Sequence, residues 1–175
     1  ADLAVSAIDP VGFNGLSAAK AAKVFIYDGK DLATGVLTLD NTITPFAKSS
    51  GKSGGAYTNG LNIAAGDVDG DGDVDIIAGT RGQIGGPNGT FVGDVEQGRL
   101  VVKNVADGAT IGNVATPFGD GYQKGVVVAA GNLDSAVGDE IAVTRGGPVA
   151  KNLAAQFQTI NLKAFKFVGT DLVQL

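Results

Sequence analysis

The chain repeats itself at an interval of about 65 residues, and this limits its architecture more than any other feature. Gly60–Gly66, GLNIAAG, resembles Gly125–Gly131, GVVVAAG, at an offset of 65. Asp75–Gly82, DIIAGTRG, resembles Asp139–Gly146, DEIAVTRG, at an offset of 64. Thr44-Pro45-Phe46 returns as Thr116-Pro117-Phe118, and Asp2–Ser6 resembles the opening of a further unit. Periods of this kind mark architectures built from one supersecondary unit stacked on itself.

Each unit reads as four short strands, A to D. The runs are four to eight residues long, rich in Val, Ile, Phe and Ala, and bounded by Gly, Asp or Asn. Strand A is predicted at Leu61–Ala65 and Val126–Ala130. Strand B falls at Leu3–Ala7, Ile76–Thr80 and Ile141–Thr144. Strand C falls at Val24–Tyr27, Leu100–Val105 and Leu162–Val168, and strand D at Gly35–Thr44, Ala109–Thr116 and Asp171–Leu175. Ser17–Lys23, with its alanines, reads as a helical turn inside a loop. The expected fold is all-β: antiparallel, propeller-type blades in one repeat domain, with a partial blade 1–46 and blades 47–118 and 119–175. Eleven strands are one short of three blades, and closed propellers need about four to eight. The chain is therefore not expected to close a ring on its own.

Composition narrows the chemistry. Glycine, at 28 of 175 residues, is about twice as common as usual and clusters in turns. Cysteine, methionine, tryptophan and histidine are absent. Disulfides, thiolate zinc sites and the usual Ser–His or Cys–His pairs are thus excluded, and no enzymatic activity is expected. An initial Ala1 predicts a processed or trimmed product. No apolar run approaches the roughly 20 residues of a spanning helix. The net charge is −5, and five aspartates lie within Asp67–Asp75; the other 13 acidic residues balance 13 basic ones. No Lys/Arg cluster is present to neutralise phosphates, which argues against nucleic acid.

The run Asp67-Val-Asp-Gly-Asp-Gly-Asp-Val-Asp75 is the sharpest chemical signal. Calcium takes six to eight hard oxygen ligands. A tight loop can turn Asp67, Asp69, Asp71 and Asp75 inward, with Asp73 offering its backbone carbonyl, while Gly70 and Gly72 permit the bend. Without a cation, so many carboxylates would repel one another. An EF-hand would need a bidentate Glu at the twelfth position, where Ala78 stands in a β-like run, so a loop between strands is expected instead.

With its glycine, this loop and the apolar strand after it resemble the FG-GAP/VCBS repeats of integrin α-subunit propellers and bacterial surface proteins. Val24–Gly29, VFIYDG, fits the same family's C strand. The resemblance implies calcium held between strands A and B by Asp67, Asp69, Asp71, Asp73 and Asp75. It implies a secreted or cell-surface structural or adhesive module. Further copies or further blades would complete the structure, as in a surface filament, with a surface glycan or protein as a further partner. The loop Asn132–Asp139 reads as one residue shorter, with Ala136 in place of a carboxylate. Asn132, Asp134 and Asp139 remain there, as a second metal site that is weak or empty.

Long B–C loops are expected at 8–22, 82–98 and 146–160, with a long D–A loop at Ala47–Asn59. Phe13, Tyr57, Phe91, Tyr122 and Phe157, with Arg81 and Arg145, would lie on that face. They either plug the gaps between blades or, in the alternative reading, line a carbohydrate-binding lectin surface. Asn88-Gly-Thr90 is an N-glycosylation sequon.

Overall fold

The computed structural model describes residues 2–7, 21–48, 57–82, 84–85, 91–92, 97–146 and 161–175. Strands β1 (Leu3–Ala7), β2 (Lys23–Tyr27) and β3 (Leu39–Ile43) form sheet 1, in that order. Strands β4 (Leu61–Gly66) and β5 (Asp75–Thr80) join β8 (Leu100–Asn104) and β9 (Thr110–Ala115) as sheet 2. Sheet 3 contains β10 (Val126–Gly131), β11 (Glu140–Arg145), β12 (Lys163–Val168) and β13 (Asp171–Gln174). All pairings are antiparallel, each joins strands consecutive in the chain except β5 with β8, and no sheet closes into a barrel. The chain is all-β, with a three-stranded blade followed by two four-stranded ones, as the repeat predicts.

The sheets stack face to face, and burial follows from each strand's place in the stack. In β2 the alternation of buried Val24 and Ile26 with half-buried neighbours reflects one covered face. In β5 every residue is buried because both faces are covered. Ile76 and Ala78 join Val24, Ile26, Ile43 and Val101 in one core, between sheets 1 and 2. Ile77 points the other way and joins Leu100, Val102, Val126, Val128, Ile141 and Val143 in a second core, between sheets 2 and 3. Gly79 lets sheet 3 come close: a Cβ there would meet Val126 Cγ2 at 2.6 Å.

Some local expectations change. Residues 17–20 of the anticipated helical turn lie outside the described residues, while Lys23 opens β2 and Ala22 is buried in the first core. A helical turn, α1 (Gly29–Leu32), occupies the C–D connection of sheet 1, where Asp28-Gly29-Lys30 reads in the sequence as a tight turn. Asp28 caps it by accepting a hydrogen bond from Lys30 N at 2.7 Å, and the following strand shrinks to Leu39–Ile43. The second C–D turn is tight, with Asp107 accepting from Ala109 N and Gly108 at φ 71°. Within the loop 82–98 a small hairpin forms, β6 (Ile84–Gly85) with β7 (Phe91–Val92).

Candidate metal centre

The aspartate loop joins β4 to β5, and its backbone is shaped by its own carboxylates. Asp67 accepts from Gly70 N at 2.8 Å and from Gly72 N at 3.0 Å. Asp69 accepts from Asp71 N at 3.3 Å, and Asp71 from Asp73 N at 2.8 Å. These are Asx turns, in which a short acidic side chain stands in for a backbone carbonyl. Gly70, at φ 79°, takes the left-handed conformation that the turn requires.

The result is a cluster of acids. Carboxylate oxygens of Asp67, Asp69 and Asp71 lie within 4.8 Å of one another, close enough to hold one metal ion. Asp73 and Asp75 fall outside that group: Asp73 is exposed, and Asp75 is buried at the start of β5. Asp75 Oδ2 accepts from Val68 N at 3.2 Å, while the buried Oδ1 has no hydrogen-bond partner. Burial pushes the Asp75 carboxyl up to about 7, against the pull of the Val68 N–H; the charges of Asp69, Asp71 and Asp67 add to the rise. Among the described residues, no basic side chain pairs with these four acids.

The second loop corrects one expectation. Its register runs at a constant offset of 65, since Gly66 pairs with Asp75 and Gly131 with Glu140. The two loops therefore have the same length. Glu140, not Asp139, occupies the place of Asp75: it is buried and accepts from Leu133 N at 2.7 Å, as Asp75 does from Val68 N. The shared Thr-Arg-Gly triplets pull the alignment out by one residue, whereas Asp67-Val-Asp and Asn132-Leu-Asp keep the offset of strand A. Asn132 and Asp134 stand where Asp67 and Asp69 stand, and they make the same turn bonds to Ser135 N at 2.6 Å and Ala136 N at 2.8 Å. Asp139 takes the place of Val74 and faces the first loop. Its N–H donates to Asp67 O at 2.6 Å, and a Cβ on Gly66 would meet its Oδ2 at 2.6 Å.

The loop-face aromatics divide between joint and undescribed residues. Tyr57 is buried in the first core, edge-on to Phe46 at 5.7 Å, and Tyr122 packs edge-on to Phe118 at 5.3 Å beside the second. Arg145 lies over Phe118 and Tyr122, at 5.3 and 5.1 Å from their centroids. Its counterpart at the first joint is Arg99, 4.6 Å from the Phe46 centroid, not Arg81. Arg81 instead donates its backbone N–H to the Tyr57 hydroxyl at 2.8 Å. Phe13, Phe157 and Asn88 lie outside the described residues, and only the backbone of Phe91 is described. Compared with known proteins, the chain matches no family model, no curated protein and no solved structure.

Proposed function

We infer that this chain is an extracellular, calcium-binding structural or adhesive module of FG-GAP/VCBS type, made of propeller-like blades that assemble with further blades. One observation carries the reading. Three carboxylates converge within 4.8 Å, no protein cation neutralises them among the described residues, and a buried carboxylate oxygen at the base of the same loop has no partner. All the ligands on offer are hard oxygens, which suit calcium better than zinc or copper. A bound ion would relieve the repulsion and tie β4 to β5. Because Asp139 N–H donates to Asp67 O, it would also stiffen the contact between sheets 2 and 3.

The lectin alternative is less well supported, because Tyr57 and Tyr122 are engaged in the joints and not offered to a sugar face. Calorimetric titration of the chelator-treated protein with calcium tests the reading. One ion per chain is expected, with a rise in melting temperature. No heat and no thermal shift at millimolar calcium would sink it.

A further inference from the structure

Both joints in the chain are made the same way. Let the front of a sheet be the face that carries Ile76 in sheet 2 and Ile141 in sheet 3. The front of sheet 2, with Leu61, Ile76, Ala78 and Val101, packs on the back of sheet 1, with Val24, Ile26 and Ile43. The front of sheet 3, with Val126, Ile141 and Phe165, packs on the back of sheet 2, with Ile77, Leu100 and Val102. Among the described residues, two sheet faces have no other sheet packed on them: the front of sheet 1 and the back of sheet 3.

Strand register defines what they carry. On the front of sheet 1, Leu3 pairs with Tyr27 and Tyr27 with Leu39; one rung along, Val5 pairs with Phe25. Leu3, Val5 and Leu39 are 42%, 41% and 50% exposed, high values for large apolar side chains in strands. On the back of sheet 3, Ala129 pairs with Ala142 and Ala142 with Ala164, a rung of three alanines flanked by Val127 and Val173. The same rung in sheet 2 is Ala64–Ile77–Val102, and there sheet 3 covers it. The front of sheet 1 bears large apolar side chains and the back of sheet 3 has a central rung of small ones, and meeting front to back they would repeat the orientation of the two internal joints.

We propose that the front of sheet 1 in one copy packs on the back of sheet 3 in a second copy, continuing the stack. This rests on reading the chain as an assembling module. The contact is head-to-tail, joining two different patches, so it generates a ring or a fibre. Two copies give six sheets, within the four to eight that close a propeller.

The test uses Val5→Glu, which charges the front, and Ala129→Glu, which charges the back; both positions are exposed, so folding is retained and checked by circular dichroism. In calcium, the wild-type chain is expected to sediment above the mass of one chain, and each variant alone as a monomer. An equimolar mixture of the two variants is expected to form a dimer, because each still has the intact face that the other needs. A wild-type monomer at high protein concentration overturns the proposal while leaving calcium binding, measured on the same sample, intact. Assembly that neither substitution disturbs places the contact elsewhere, overturning the proposal but not the assembling module. One variant that still assembles by itself shows a self-complementary contact and overturns the proposal, as does a mixture that stays monomeric.

Discussion

The two A–B loops share a backbone and differ in charge. Asp67 and Asn132 both hold the third residue's N–H, Asp69 and Asp134 both close the next turn, and Asp75 and Glu140 both anchor the loop from below. In the second loop the interior is filled by the protein itself. Asn132 Nδ2 donates to Ala136 O at 2.6 Å, and Lys166 Nζ lies 3.4 Å from Asp134 Oδ2. In the first, Asp67 and Asp71 supply carboxylates where the second has an amide and a methyl group. The Asx framework therefore sets the shape of both loops, and the charge at two positions sets whether an external cation is called for.

The largest expected effect comes from erasing that difference. Asp71→Ala puts the second loop's methyl group in place of one of the first loop's three converging carboxylates, and calorimetry should show calcium affinity falling by about a hundredfold or more, ~3 kcal/mol. An unchanged affinity would place the ion elsewhere.

Next comes pH. The folded Asp75 carboxyl titrates at about 7, while in the unfolded chain it titrates near 3.8. Between those values the native state holds the extra proton, so metal-free stability falls as pH rises through the window and stays low above it. Calcium favours the ionised form, so its stabilising increment should be larger at pH 8 than at pH 5. Thermal melts with and without chelator at both pH values check this, and equal increments would count against Asp75 as part of the site. Asp75→Asn keeps an acceptor for Val68 N and should flatten the pH dependence of the metal-free protein.

A smaller gain is expected from building the missing ligands into the second loop. Ala136→Asp combined with Lys166→Ala should raise the stoichiometry towards two ions per chain, with the new site the weaker. A stoichiometry that stays at one would mean that the framework alone does not make a site.

The smallest effect lies in the backbone. Ser135 sits at φ 61°, where the first loop has Gly70. Ser135→Gly should stabilise by up to about 1 kcal/mol in denaturant titrations. Gly70→Ala should cost more than Ser135→Gly gains, because its new Cβ would also meet Val137 Cγ1 at 2.6 Å.

The strands, their order and the acidic loop were legible in the residues because each has a local cause. Short apolar runs between Gly and Asp make strands, and alternating aspartates with glycines make a tight turn whatever surrounds them. Other features depend on residues distant in the chain. The alignment of Glu140 with Asp75 required strand register, because a one-residue slip costs nothing in a string of letters but reverses every side chain in a sheet. The proximity of Asp139 to Gly66 and the Arg99 counterpart of Arg145 likewise come from sheets packed on one another. The helical turn at Gly29–Leu32 was missed because Asp28-Gly29 also suits a hairpin turn, and local propensity alone does not separate the two. Composition and pattern were thus enough for the kind of unit and the chemistry of its loop. Which faces meet, and which carboxylate lies beneath which turn, was settled only when the sheets stacked, since burial and register belong to pairs of strands and not to single ones.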